Sequence, residues 1–314
     1  MKKLLFIEKF GGSGIFEFMK RSDKALKLTS TTCKPRDRAY LLQYEEALTE
    51  EPLQNSSKVS ITARDGLKLV GRLYRKREHP KAIVIAVHGF HSGGLRDMGR
   101  FADMYYRNDF DYLVISQRSH EASEGNYLTF GAKESFDLID WIRQIRKLYP
   151  VTIPIILHGV SMGAATVILA AGNREVLDGN KNPYNIKCCI SDSAYSDIMD
   201  QISYLMGDTH SFIKTAYMEL FKANMRLRGG AKASSASPIS VAGKISIPFM
   251  FIHGKKDKFV PYANSIRIYE ACSTTEKEIH LFEGAGHVCS YVVNKSKYEE
   301  LFASFVKSKL DECD

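Results

Sequence analysis

From Val59 onward the apolar positions fall into short runs of strand length. Val59–Arg64 alternates apolar and polar side chains, Leu67–Tyr74 begins the same way, and the two flank Asp65–Gly66. Alternation on both sides of a dipeptide that tolerates positive φ predicts an antiparallel hairpin with a two-residue turn. Beyond it the runs become continuously apolar: Ala82–His88, Tyr112–Ser116, Ile153–Leu157, Ile186–Ile190, Phe249–Ile252 and Glu278–Phe282. Most are separated by stretches long enough for a helix. Buried strands alternating with helices predict a mostly parallel sheet covered on both faces.

Two parts of the chain stand apart from this rhythm. Between Ile190 and Pro248 lies an insertion whose Ile198, Ile202, Tyr204, Leu205, Met206, Phe212, Tyr217, Met218, Phe221 and Met225 have helical spacing. It leaves through Gly229–Gly230 and a serine-rich stretch at 234–237. Residues at about 193–243 are therefore expected to form a small helical cap, and as a set these side chains imply an apolar pocket wall. The other part is the N-terminus. Residues 1–57 are expected to form a helical extension, with Ile15, Phe16, Phe18 and Met19 as an apolar face docked on the protein's own core, and 58–314 the main domain. Met1–Glu8 has too short an apolar run for an export signal.

One strand ends in candidate chemistry. After Ile153–Leu157 the chain reads His158-Gly-Val-Ser-Met-Gly163 and then becomes rich in alanine, so a strand, a tight turn and a helix meet at Ser161. Such a turn holds its serine exposed above the sheet, and the flanking glycines let strand and helix approach closely. A serine hydroxyl needs a base, and the base needs an orienting carboxylate. Of the nine histidines, His88, His158 and His253 each end a strand before a glycine, where packing or loop anchoring accounts for them. His287 lies instead in a glycine-rich loop just past the last strand. For the carboxylate, Asp257 follows the preceding strand, and Asp192 after an earlier one is its rival. The loop His88–Gly94 follows the first parallel strand. The backbone N–H groups of Phe90 and Met162 are placed to stabilise a developing oxyanion.

Composition narrows the class. At 314 residues, 44% hydrophobic and 25% charged, the chain can bury one large core. The net charge of +8 is scattered, with no basic run interleaved with aromatics, so no nucleic-acid partner is expected. No run is long enough for stable membrane insertion. Irregularly spaced cysteines, with Cys188–Cys189 adjacent on a strand, predict reduced core thiols and a cytoplasmic setting. No phosphate-binding glycine motif or metal-ligand cluster accompanies the serine, so no cofactor and no metal is expected.

From about Lys58 to the C-terminus the chain resembles serine hydrolases of the α/β-hydrolase fold, among them uncharacterised bacterial esterase and peptidase-like members. The resemblance rests on HGxxS at His88, GVSMGAAT at Gly159, HGxxDxxVP at His253 and GxGH ending at His287. It implies Ser161 as nucleophile, Asp257 as acid, His287 as base, and the N–H groups of Phe90 and Met162 as oxyanion donors. The implied activity is hydrolysis of a small-molecule carboxylic ester, short- to medium-chain or aryl, through a seryl acyl-enzyme. Alternatives are a peptidase on short peptides, an acyltransferase or thioesterase, and a catalytically silent binding module. One region departs from the pattern Arg-x-His-Gly-x-Ser-x-Gly preceded by aspartate. Arg118, His120, Ser123 and Gly125 are kept, but Ser116 replaces the aspartate and Glu121 a glycine.

Overall fold

The structure is a computed structural model that describes residues 19–21, 56–75, 78–177 and 182–311. Strands β1 (Ser56–Thr62) and β2 (Lys68–Tyr74) pair antiparallel as the alternation predicts. Their connection differs from a two-residue turn. Ala63 N–H donates to Leu67 O and Gly66 N–H to Ala63 O, so Arg64, Asp65 and Gly66 form the loop, with Gly66 at φ 88. A turn closed by a left-handed glycine spans one residue more than Asp65–Gly66 alone could.

Six further strands complete one sheet: β3 (Ala82–Val87), β4 (Phe110–Ile115), β5 (Ile155–Val160), β6 (Ile186–Asp192), β7 (Phe249–Gly254) and β8 (Lys277–Phe282). The order across the sheet is β1-β2-β4-β3-β5-β6-β7-β8. Strand β2 runs antiparallel to β4, and every pairing from β4 to β8 is parallel. Strands β3, β4, β5 and β7 are buried along their whole length, which explains their unbroken apolar runs. Within β3 the two faces still separate with period two. Ile83, Ile85 and Val87 pack beneath α3 (Glu134–Leu148) and α4 (Met162–Ala171), with Trp141, Ile142 and Ile168. Ala82, Val84 and Ala86 face the opposite layer, where α2 (Ala102–Arg107) and the C-terminal α10 (Lys295–Asp311) supply Met104, Tyr105, Tyr298 and Phe302.

A third apolar cluster lies over the sheet's C-terminal edge. The insertion forms α5 (Ile198–Met206) and α6 (Ser211–Leu227), which bury Ile198, Ile202, Met206, Phe221 and Met225 against Phe130, Met162 and Val260. Asp197 caps α5, accepting the N–H groups of Met199 and Asp200. The expectation of one apolar wall holds for this face only: Phe212 is 83% exposed, and Tyr204 is also exposed. In the N-terminal extension only Met19, Lys20 and Arg21 are described. Met19 is buried in this third cluster, and the rest of 1–55 lies outside the described residues.

Cys188, Cys189 and Cys272 are buried and free, and burial pushes their thiol pKa values up, as expected of reduced core thiols. Cys289 departs from that expectation, being disulfide-bonded. Among the described residues no helix is long and apolar enough to cross a membrane.

The closest backbone approach in the sheet is at Gly163, where a Cβ would stand 2.1 Å from Val87 O and 2.5 Å from His88 O. Those are backbone atoms at the end of central strand β3 and of the residue directly after it, and they cannot easily give way. Gly163→Ala should therefore destabilise by at least ~2 kcal/mol, whereas Gly66→Ala, in open space but at positive φ, should cost about 1 kcal/mol. Urea midpoints of the two variants test this, and equal losses would contradict it.

Candidate active site

The site is built on the turn between β5 and α4. Ser161 takes φ 53 and ψ −118, an unfavourable conformation for an L-residue, costing of the order of 1–3 kcal/mol. Neighbouring contacts hold it there. Its N–H donates to Asp192 O at 2.8 Å and its carbonyl accepts from Ala165 N–H at 3.1 Å. A Cβ at Gly159 would lie 2.3 Å from Gly163 O, so strand and helix meet backbone to backbone through the two glycines.

Loops after β7 and β8 bring in the other two side chains. His287 Nε2 lies 2.8 Å from Ser161 Oγ, and His287 Nδ1 lies 2.7 Å from Asp257 Oδ2. An ionised carboxylate only accepts, so Nδ1 carries the proton and Nε2 is left to accept from the serine hydroxyl. The chain of hydrogen bonds can pass the serine's proton to the ring while Asp257 holds the ring in that tautomer.

Asp257 is itself held from several sides. Its Oδ1 accepts the N–H groups of Phe259 at 2.9 Å and Val260 at 2.8 Å. His253 Nε2 lies 3.1 Å from Oδ2 and 2.9 Å from Val260 O, while its Nδ1 meets Ser265 Oγ at 2.7 Å. Two acceptors around Nε2 put the His253 proton there. His253 therefore does more than anchor its own loop: it donates to the same carboxylate oxygen as His287. Burial acts to raise the Asp257 pKa, but the His287 charge and the hydrogen bonds from His253 and His287 hold it well below the usual carboxylate range.

Asp192, the rival carboxylate, is placed otherwise. It is fully buried, its Oδ1 accepts from Ser193 Oγ at 2.8 Å, and burial pushes its pKa up despite that bond. Its backbone carbonyl, rather than its carboxylate, serves the site by holding Ser161.

The loop after β3 passes beside the serine, since a Cβ at Gly89 would lie 3.2 Å from Ser161 Cβ. Phe90 from this loop and Met162 at the head of α4 both line the pocket containing Ser161. Met162 N–H is among the first amides of α4, which have no partner within the helix. Sequence reasoning missed how the loop is fixed. Asp97, in α1 (Gly94–Met98), accepts Gly89 N–H at 2.8 Å and Ser92 Oγ at 2.6 Å. Arg100 donates to Asp97 O at 2.8 Å and to Val288 O at 3.0 Å, next to His287. This buried pair joins the Phe90 loop to the His287 loop. An Asp and an Arg three residues apart just after a glycine loop were the only signal.

The departing loop 116–125 supports the same structure from behind. His120 Nε2 accepts His91 N–H at 3.1 Å, and Ser116 Oγ donates to His120 O at 2.9 Å. Glu121 takes φ 45, a conformation suited to the glycine it replaces, and its carboxylate accepts Gly94 N–H at 3.1 Å. Its side chain thus adds a tie to the Phe90 loop that a glycine could not make.

Phe90, Phe130, Ile198, Ile202 and Phe259 make the pocket over Ser161 mainly apolar, and its volume, about 20 Å³, is roughly that of one water site. No group of three or more His, Cys, Asp or Glu suited to a metal ion occurs among the described residues.

Because the folded-state pKa of Asp257 lies below its ordinary value of about 3.9, the unfolded chain binds its proton first on acidification. The stability its ionised form contributes is present in full above about pH 4 and is lost as the pH falls through the folded-state value. Asp257→Asn should therefore be less stable than wild type at about pH 7, with the gap narrowing below about pH 4. Urea midpoints across that range measure it, and a gap that widens in acid would contradict the assignment.

Comparison with known proteins agrees with this architecture. The model of the prolyl oligopeptidase family (Peptidase S9) matches residues 116–313. The uncharacterised protein YqkD of Bacillus subtilis is 26% identical over 246 residues, covering 78% of this chain and 77% of its own. Monoglyceride lipase of Rattus norvegicus is 24% identical over 260 residues, covering 71% and 81%. The Pyrococcus furiosus esterase Pf2001 superposes with a TM-score of 0.65 at 21% identity, over 84% of this chain and 95% of its own, and shares the α/β-hydrolase fold. With the family match spanning well over half its length, this chain belongs to the prolyl oligopeptidase family of hydrolases.

Proposed function

We propose that the protein is a serine hydrolase that cleaves carboxylic esters of small molecules through a seryl acyl-enzyme. Supporting this reading above all is the hydrogen-bonded series Ser161 Oγ, His287 and Asp257, at 2.8 Å and 2.7 Å. Ser161 Oγ attacks the ester carbonyl as His287 Nε2 takes its proton. The N–H groups of Phe90 and Met162 stabilise the resulting oxyanion, a contribution of about 3 kcal/mol for one such donor. His287 returns the proton to the departing alcohol, and a water activated by the same ring releases the acyl group. No step draws on a cofactor.

An ester reading is favoured over the peptidase alternative by the pocket. Its wall over Ser161 is largely apolar, and none of the described residues that line it carries a charge to hold a peptide terminus. Of the charged cap residues, Asp200 pairs with Arg267 at 3.0 Å and Glu219 with Lys222 at 2.7 Å. An alkoxide is also a better leaving group than an amine. The names of the lipase and esterase relatives point the same way. A pocket this confined favours short acyl groups; longer or aryl groups require α5, which supplies Ile198, Gln201, Ile202 and Leu205 to its wall, to shift.

Ser161→Ala should retain less than about a thousandth of wild-type kcat on nitrophenyl esters and lose labelling by a fluorophosphonate, with its fold intact. Asp257→Asn should lower kcat by up to about 10⁴-fold through the wrong imidazole tautomer, and Asp192→Asn by far less. The reverse ranking would move the acid to Asp192. Nitrophenyl esters should exceed aminoacyl anilides in kcat/KM by at least about a hundredfold; comparable rates would favour the peptidase.

A further inference from the structure

The pocket over Ser161 carries a polar atom that no described residue satisfies. Gln201, on α5, is 5% exposed and lines the pocket together with Phe90, Met162 and Ile202. Its Nε2 donates to Phe259 O at 2.6 Å. A carbonyl can only accept, so the amide nitrogen must face Phe259, and the amide's orientation is thereby settled. Oε1 is then left in the interior with no hydrogen-bond partner. Besides Ser161, whose hydroxyl faces His287, Tyr195 is the other described pocket residue with a polar tip, and its hydroxyl is committed to Phe130 O at 2.7 Å. An apolar side chain of the same shape would avoid the cost of a buried acceptor without a donor. Glutamine is thus an expensive choice at this position unless something that binds there supplies the donor.

We propose that Gln201 Oε1 is the recognition atom of the substrate pocket, accepting a hydrogen bond from an uncharged donor, hydroxyl or amide N–H, carried by a short acyl group. The inference rests on ester hydrolysis at Ser161. The acyl group remains on the serine after the alcohol leaves, so the confined space between Ser161 and α5 suits the acyl portion. The donor is uncharged because none of the described residues lining this pocket carries a charge to balance an ammonium. The volume of about 20 Å³ limits the acyl group to a small one. The preferred class is therefore short hydroxyacyl or acylaminoacyl esters over plain hydrocarbon acyl esters.

The test compares kcat/KM for matched ethyl esters by titration of released acid: acetate, glycolate, methoxyacetate and N-formylglycinate, then butyrate, 3-hydroxybutyrate and 3-methoxybutyrate. The methoxy compounds keep the electron withdrawal of the oxygen and lack the donor. Wild type should prefer at least one donor-bearing ester over its methoxy partner, or N-formylglycinate over methoxyacetate, by about tenfold or more. Which of them is preferred identifies the donor as hydroxyl or N–H. In Gln201→Met and Gln201→Leu that preference should fall to within about twofold, read as a ratio within each variant so that any change in overall rate from losing the bond to Phe259 O cancels. Absence of any donor preference in wild type overturns the proposal, and requires no variant to fold. A preference that survives both substitutions overturns it as well. Cleavage of plain esters by wild type and its loss in Ser161→Ala reads the underlying ester activity separately. If that activity is present without the preference, only the Gln201 assignment falls; if no ester is cleaved, both fall.

Discussion

The backbone contact at Gly159 and Gly163 governs the rest of the site. With a Cβ of Gly163 excluded by Val87 O and His88 O, the first turn of α4 lies directly against the end of β3. That contact sets three things together: the positive φ of Ser161, the direction of α4, and the path of the loop leaving β3. Phe90 and Met162 come to the same pocket because the elements that carry them touch backbone to backbone. The apolar layers on both faces of the sheet, each large buried side chain contributing roughly 1.5–3 kcal/mol, outweigh the local strain at the serine.

The buried charges around this turn are separated by their surroundings. Asp192 and Asp257 lie at or just beyond the ends of neighbouring parallel strands, yet their pKa values move in opposite directions. Asp257 has two backbone donors and two imidazoles around it, enough to compensate the loss of water. Asp192 has a single hydroxyl on Oδ1, and burial prevails. Chain position made them rivals, and the number of donors each receives sets the opposite directions in which their pKa values move. Asp97 and Arg100 follow the same logic in a structural role, each spending hydrogen bonds on loop backbone as well as lying near the other.

What could be read from the sequence was whatever has a period or a fixed local spacing. The buried strands appear as continuous apolar runs, and the serine turn as glycines two residues either side of Ser161. Some strand boundaries matched and others were off by up to three residues, because an apolar run does not mark where the ladder of hydrogen bonds stops. The hairpin loop was misjudged since Asp65–Gly66 suits a two-residue turn, while Gly66 is used at positive φ to close a longer one. The approach of His253 to Asp257 was written in the spacing of a single motif but looked like loop anchoring. Contacts made across long stretches of chain, such as Arg100 to Val288 O or His120 to His91 N–H, leave no local pattern. Helical spacing in the cap also showed which residues share a face without showing which face meets the sheet, so exposed Phe212 was grouped with buried Phe221 and Met225.

The proposed chemistry and the proposed selectivity occupy different parts of this architecture. Ser161, Asp257 and His287 sit on turns at strand ends, and the sheet positions them to within a hydrogen bond. The ceiling of the pocket comes instead from α5, part of an insertion that adds no strand between β6 and β7. Its attachment is mostly apolar contact in the third cluster, which is non-directional. Directional ties are few; Gln201 to Phe259 O and Tyr204 to Lys258 O both reach the loop that carries Asp257. A change of side chain on α5 can therefore reshape the pocket without disturbing the strand ends. The exceptions are positions tied to the Asp257 loop, where pocket shape and placement of the carboxylate are coupled through the same backbone.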